Sequence, residues 1–377
     1  MAWFGLVLTS LAGFYLMVVL MLWIGGFFAD KRGGGESACP RVSVVIPARN
    51  EEGRIGRCLR AVLSQDYPAE LMEVVVVDDR STDGTAEEVE RTARGDGRVK
   101  LVRVTYKPPW LTGKQNALDE GLKACAGEVI LNTDADCLMG RRWVRSMVSR
   151  IEGKTGLVVG FTLIKRSGRL DLVSELLSLD MLFLLGAAFG AVGLGTPVSC
   201  IGNNIAYRRE LIEEVGGFSK LGRTVTEDAQ LIQEVRRRER WGVRAAIDPE
   251  AVVYTYPPRN AREFMSQRVR WLVGGLRTRG WTVLPLLPML LLHFCIPIGF
   301  LLGIAWRPLL LVSAAVLSAK FAADLLLAST TALRLKKPGL IALMPLYELF
   351  LIGYSIAISI HGLRSTEIKW KGETYRR

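Results

Sequence analysis

Histidine is almost missing from this chain. Only His293 and His361 are present, and both fall in apolar stretches near the C-terminus. Histidine-based triads and the His-Glu-x-x-His metalloprotease pattern are thereby excluded from the polar part. Proton chemistry there falls to carboxylates, Lys, Cys or Tyr. The six cysteines (Cys39, Cys58, Cys125, Cys137, Cys200, Cys295) never stand in Cys-x-x-Cys spacing. Neither a zinc site nor a disulfide framework has support, and a reduced, cytosolic catalytic domain fits. A basic arm or basic helix face is missing too. The net charge of +12 rests on scattered Lys and Arg, several of them beside long apolar runs, as positive-inside flanks are. A nucleic-acid partner is set aside on that ground.

Charge is absent from Gly5 to Phe28 and again from Met181 to Tyr207. The first stretch is long enough to span a bilayer. No positive charge precedes it, while Lys31 and Arg32 follow. A signal peptide carries its charge in front, so the expectation is an uncleaved anchor with its C-terminal side in the cytoplasm, then a Gly33-Gly34-Gly35 linker. Apolar segments recur at Val283 to Ile304, Pro308 to Ala328 and Leu340 to Ile360. The Arg334-Leu335-Lys336-Lys337 loop reads as cytoplasmic. Three crossings then put the tail outside, whereas Lys369, Lys371, Arg376 and Arg377 argue for inside. Pro345 and Glu348 allow a re-entrant or interfacial last segment, and the side of the tail stays open. A crossing at Leu172 to Leu194 would split the acidic residues described next between two sides. That segment is therefore expected to be amphipathic or partly buried and membrane-facing, loosened by Gly186, Gly190, Gly193 and Gly195, with Leu184 and Phe189 in contact with lipid.

With 377 residues, half of them hydrophobic, there is room for a soluble domain of roughly 250 residues besides these spans. Between Val42 and Ala126 strands alternate with helices, which predicts a largely parallel sheet with helices on both faces. The run Val129-Ile130-Leu131-Asn132-Thr133-Asp134-Ala135-Asp136-Cys137 reads as a buried strand ending in two carboxylates. Residues i and i+2 of an extended chain point the same way, and this strand edge is where open α/β sheets bind ligands. Asp134 and Asp136 can together hold a hard cation that carries phosphate oxygens.

Other polar groups recur at element ends. Glu73 to Val77 ends at Asp78-Asp79, suited to hydrogen bonds from a nucleotide's base and ribose, and Thr82 or Asp83 can cap the helix that follows. Lys114 opens a helix, where a lysine does not serve the dipole. It fits a diphosphate ligand and, taken alone, a solvated lysine equally. Thr226-Glu227-Asp228 precedes a helix, with Thr226 suited to the N-cap and the acids to the first turn. Gln267, Arg270 and Trp271 share one helix face. Arg can grip a diphosphate bidentately, but Arg and Trp before a span are also interfacial anchors, the role expected of Arg268, Arg277 and Arg279.

Ser43-Val44-Val45-Ile46-Pro47-Ala48-Arg49-Asn50-Glu51, Asp78-Asp79-Arg80-Ser81-Thr82-Asp83-Gly84-Thr85 and Thr133-Asp134-Ala135-Asp136 resemble the nucleotide-sugar half of family 2 glycosyltransferases, which have the GT-A fold. Gly202-Asn203-Asn204-Ile205-Ala206-Tyr207-Arg208, Thr226-Glu227-Asp228 and Gln267-Arg268-Val269-Arg270-Trp271 resemble its membrane branch, with ceramide glucosyltransferases and cellulose and hyaluronan synthases. Ile368-Lys369-Trp370-Lys371-Gly372 is similar to a tail found in that branch. The resemblance spans roughly residues 40 to 275. It implies Asp228 as catalytic base and donor binding by Pro47, Arg49, Glu51, Asp79, Lys114, Asp134, Gln267, Arg270 and Trp271. It also implies an acceptor side at Asn203, Asn204, Glu227 and Trp271, and Mn²⁺ or Mg²⁺ on Asp136 and Asp134.

The expectation is therefore a GT-A α/β domain with transmembrane helices: an anchor (1–30), a cytoplasmic catalytic domain with interfacial helices (31–280) and a C-terminal membrane region with a basic tail (281–377). The expected activity is inverting transfer from a nucleotide-sugar, a UDP-sugar foremost, to a lipid at the plasma membrane of a prokaryote. A growing sugar chain is the alternative acceptor, though three C-terminal segments are few for an export channel. A nucleotide sensor without turnover would be expected to have lost the acidic residues, and all are present.

Overall fold

The computed structural model describes residues 1–30, 39–168, 171–276, 286–364, 367–370 and 373–376. Expectations for Lys31, Arg32, Gly33 to Gly35, Arg277, Arg279, Lys371, Gly372 and Arg377 fall outside the described residues.

The chain begins with helix α1 (Ala2–Ala29), which neither proline nor charge interrupts. β1 (Val42–Ala48), α2 (Ile55–Leu63), β2 (Met72–Asp79), α3 (Thr85–Thr92), β3 (Val99–Val104), α4 (Gly113–Ala124) and β4 (Val129–Asn132) then alternate. β1 and β2 are buried almost throughout, as strands covered on both faces must be, which explains their unbroken apolar runs. In parallel register Val44 faces Val74 on one side and Leu131 on the other. α2 packs through Ile55, Cys58, Leu59 and Val62, the one-face spacing of an amphipathic helix.

The second half adds β5 (Leu138–Met139), α5 (Trp143–Val148), β6 (Thr155–Gly160), β7 (Thr162–Ile164), α6 (Leu172–Gly193), β8 (Ile205–Arg208), α7 (Arg209–Val215), α8 (Glu227–Arg237), β9 (Gly242–Ala246), β10 (Val253–Thr255) and α9 (Ala261–Leu276). The main sheet has the order β3-β2-β1-β4-β8-β6-β9, with β8 antiparallel to both neighbours. β5, β10 and β7 form a small second sheet. The expected largely parallel α/β sheet is present.

α10 (Leu286–Gly303), α11 (Arg307–Arg334), α12 (Met344–Arg364) and a hairpin of β11 (Glu367–Trp370) and β12 (Glu373–Arg376) complete the chain. α1 and α11 run in the same direction: a Cβ at Gly5 would lie 3.9 Å from Leu309, and Trp23 Nε1 donates to Thr330 Oγ1 at 2.9 Å. α10 runs the other way, with Gly299 beside Leu8 and His293 edge-on to Tyr15. Lys320 of α11 is buried between Asp324, at 2.7 Å, and Glu348 of α12, at 2.6 Å, while Tyr15 donates to Asp324 at 2.7 Å. Where α1 and α11 end, Asp30 accepts from Arg150 at 2.7 Å and from Arg334 at 3.2 Å, and Arg150 also reaches Asp248 at 2.6 Å. This network fastens both helices to the sheet domain.

Among the described residues, four helical stretches are long and apolar enough to cross a membrane: Ala2–Ala29, Leu172–Gly193, Arg307–Arg334 and Pro338–Gly362. Three expectations change here. α6 is not amphipathic but buried on most sides, against α1, α11 and β7. Its glycines tighten rather than loosen it: a Cβ at Gly190 or Gly193 would overlap the backbone of α1 at Leu22 or Gly25. Phe189 is wholly buried, edge-on to Phe161 at 4.6 Å, and not open to lipid. α12 lies alongside α9 in the same direction, Phe350 near Phe264 at 5.8 Å and Gly362 near Leu272. β11 touches α9 as well.

Candidate active site

The C-terminal edges of β1, β2 and β4 open into one large cleft of about 1570 Å³. Pro47, Arg49, Glu51, Asp79, Lys114, Asp134, Asp136, Asn203, Glu227, Asp228, Gln267, Arg270 and Trp271 all line it. Asn204 does not join them. Its amide donates to Phe161 O at 2.7 Å and Ala251 O at 2.9 Å and accepts from Trp143 Nε1 at 2.9 Å. The expected acceptor role of Asn204 thus gives way to an internal tie, because a buried amide with its partners met has nothing left for a ligand.

β4 stops at Asn132, and Asp134 to Cys137 form a turn closed by Cys137 N–H donating to Asp134 O at 3.0 Å. The two carboxylates converge through this turn and not through an extended strand. Lys114 sits just inside α4, whose Thr112 cap and Gln115 form a reciprocal capping box. Its ammonium lies 3.0 Å from Asp134 Oδ1 and 3.2 Å from Glu227 Oε1. Burial alone would lower its pKa, but Asp134, Glu227 and Asp228 outweigh that and hold it raised and charged. Glu227, expected on the acceptor side, lines the cleft and also ties α8 through Lys114 to the turn after β4.

Asp79 is buried, paired with Arg80 at 2.8 Å and 3.9 Å from Arg49. Asp78 instead accepts from Ser81 N–H at 3.2 Å, and Asp83 accepts from Thr85 N–H at 3.1 Å to hold the start of α3. Thr226 occupies the N-cap of α8 without a side-chain cap bond. Asp228 accepts from Gly202 N–H at 2.7 Å and Ala229 N–H at 2.8 Å. Burial, then the charge of Glu227, push its pKa up to about 6 against the pull of Lys114 and these N–H groups. Burial and the neighbouring carboxylates keep the thiols of Cys58, Cys137 and Cys200 protonated. With its pKa raised to about 6, Asp228 can exchange a proton near neutrality.

No group of three or more His, Cys, Asp and Glu side chains among the described residues could by itself hold a metal ion. Asp134 and Asp136 offer hard oxygens from two residues only. That donor set fits Mg²⁺ or Mn²⁺, which fill their shells with phosphate oxygens and water.

On α9, Arg268 is no interfacial anchor. It is buried in an ion pair with Asp180 of α6, its guanidinium 4.3 Å above the Trp271 ring. Asp180 also accepts from Tyr347 at 3.0 Å and Tyr354 at 2.6 Å. Two further sets of lining residues carry no spacing signal. Arg54, Tyr256 and Arg259 border the polar mouth, and Phe14, Met17, Met21, Leu184, Ala188 and Leu194 extend the cleft between α1 and α6.

Residues 43–216 match the model described as glycosyl transferase family 2, and residues 133–355 the one described as glycosyl transferase family group 2. The probable glycosyltransferase YdaM of Bacillus subtilis is 30% identical over 239 residues, 63% of this chain and 55% of that protein. A beta-monoglucosyldiacylglycerol synthase of Synechocystis is 27% identical over 244 residues, 63% of this chain and 48% of that protein. The chain spans about half the length of these curated relatives. The mannosyltransferase PcManGT from Pyrobaculum calidifontis, solved with GDP-Man and Mn²⁺, superposes with a TM-score of 0.62 at 25% identity, over 96% of this chain and 99% of that one.

Proposed function

The chain belongs to glycosyl transferase family group 2, and from that premise we propose that it is a membrane-integral inverting glycosyltransferase moving a sugar from a nucleotide-sugar to a lipid. One observation carries the reading: a single cleft joins the carboxylates of α8 and of the turn after β4 to the apolar surfaces of α1 and α6. A polar donor and an apolar acceptor can meet there. The names of two neighbours agree, one a glucosyldiacylglycerol synthase and one a mannosyltransferase bound to GDP-Man, so UDP- and GDP-sugars both belong among the donors to test.

In this reading Asp79, with Pro47, Arg49 and Glu51 around it, receives the nucleoside. Lys114, Gln267 and Arg270 face the diphosphate, and Asn203 and Trp271 the acceptor. Asp134 and Asp136 would hold Mn²⁺ or Mg²⁺, which when bound supplies Lewis-acid stabilisation of the leaving diphosphate. Asp228 takes the proton of the acceptor hydroxyl as its oxygen bonds to the anomeric carbon and the bond to the diphosphate breaks. Its N–H partners, Gly202 and Ala229, fix the carboxylate in place.

The proposed division is an anchor (1–30), a cytoplasmic catalytic region (31–280) and a C-terminal membrane region (281–377). α12 then rests along the interfacial helix α9, and the tail remains cytoplasmic. The test is purified protein in detergent with Mn²⁺, radiolabelled UDP- and GDP-sugars and a lipid extract. Label in the organic phase supports the lipid acceptor. Label in polymer that stays at the chromatographic origin would replace it with a polysaccharide synthase.

A further inference from the structure

Three cations surround the phenol of Tyr256, which with Arg54 lines the cleft, while Arg57 and Lys165 are not among the lining residues. Arg54, Arg57 and Lys165 lie 5.2, 5.5 and 5.0 Å from the centre of the Tyr256 ring, and Lys165 Nζ is 3.5 Å from its hydroxyl. Arg54 is partly offset by Glu51 at 3.6 Å. Arg57 donates to a backbone carbonyl, Gly53 O, at 2.8 Å. No carboxylate lies within ion-pair distance of Arg57 or Lys165 among the described residues. Gathering like charges around a ring face costs Coulomb energy that the ring offsets only in part, and a bound anion would remove the deficit. Arginine and tyrosine donors suit a phosphate oxyanion.

The place in the fold indicates what carries that phosphate. Lys165 leaves β7 on the way to α6, and Tyr256 leaves β10 on the way to α9. The chain thus passes from the small second sheet to α6 and to α9 at this cluster. Leu172 and Val173, at the start of α6, are 50% and 66% exposed. Arg166, which follows Lys165, pairs with Glu175 in the first turn of α6 at 2.8 Å, and a basic loop running into exposed apolar side chains is the pattern of a surface that meets lipid head groups.

We infer that Arg57, Lys165 and Tyr256 form a subsite for the phosphate of a lipid head group at the cleft mouth. The inference rests on the lipid reading of the cleft for the source of the phosphate. It is distinct from the carboxylate site, and its test needs no sugar transfer. The experiment measures binding of dihexanoyl phosphatidic acid to the detergent-solubilised full chain without donor. Parallel arms use inorganic phosphate, UDP and a neutral dihexanoylglycerol. Arg57→Gln/Lys165→Gln should weaken phosphatidic acid at least tenfold and leave the neutral lipid and UDP unchanged. Arg57→Lys/Lys165→Arg should retain binding, as should Arg60→Gln on the exposed side of the same helix. Equal affinity of wild type and the Gln double variant would overturn the subsite. So would inorganic phosphate binding as tightly as the lipid, or a matching loss of UDP affinity, which would hand the cations to the donor. Failure here would leave sugar transfer standing, and failure of transfer would leave this binding result readable.

Discussion

The Lys114 ammonium lies 3.2 Å from Glu227 and 3.0 Å from Asp134, so one partly buried cation joins the turn after β4 to the first turn of α8. Neighbouring Asp228 takes its electrostatic setting from that bridge. Loss of Lys114 removes the charge that restrains its pKa. Lys114→Met should therefore shift the acid limb of the pH–rate profile to higher pH as well as lower the rate; an unmoved limb would contradict the coupling.

Asp228→Asn keeps the shape and both N–H contacts possible but cannot take a proton. Transfer should fall about 10²- to 10⁴-fold, the usual weight of a general base. Nucleotide affinity, read by calorimetry, should stay within a few-fold of wild type. Near-normal transfer would sink the base assignment.

The pH dependence has a definite sign. With its pKa raised to about 6, Asp228 is protonated and inactive as a base below that value, so kcat should climb between about pH 5 and 7. Stability should move the opposite way. The folded state binds this proton more tightly than the unfolded chain does. The resulting stabilisation is present at low pH and is lost as pH rises through about 6. Thermal unfolding of wild type and Asp228→Asn across that window isolates the contribution.

Gly113 leaves the space Asp79 needs, since a Cβ there would stand 2.5 Å from Asp79 Oδ2. Helix propensity alone would make Gly113→Ala stabilising by up to about 1 kcal/mol. The expected outcome is an unchanged or slightly higher Tm with nucleotide affinity down about tenfold, or about 1.4 kcal/mol. Unaltered affinity would remove Asp79 from the donor site.

Arg268 and Asp180 are buried as a pair, with side chains 4% and 0% exposed. Arg268→Met and Asp180→Asn should each destabilise by about 3–5 kcal/mol, because each strands a charge or its hydrogen-bonding partners away from water. The double variant should cost clearly less than the sum. Additive losses in a denaturant double-mutant cycle would mean the two residues act separately, as interfacial anchors do.

Gly190→Val tests the contact of α6 with α1, where any Cβ would overlap Leu22. Overpacking of this kind costs about 1–3 kcal/mol where side chains can yield, and backbone yields less. A marked loss of thermal stability in detergent is expected, and wild-type stability would mean that the helices do not touch.

The one-dimensional pattern determined the α/β sheet, the apolar helices and most of the cleft residues. These are local facts: apolar runs mark strands buried on both faces, and carboxylates at strand and helix ends mark a ligand edge. Tertiary structure decided which partner each polar group has. Asn204 and Asn203 are neighbours in the chain, yet one is consumed by Trp143, Phe161 and Ala251 while the other lines the cleft. Arg268 and Arg270 differ as sharply, one buried on Asp180 and the other lining the cleft. α12 shows the same limit, since hydropathy reports that a helix prefers an apolar setting but not which helix it lies along. Partners distant in sequence meet only after the chain has packed, so burial and pairing there are properties of the fold and not of spacing along the chain.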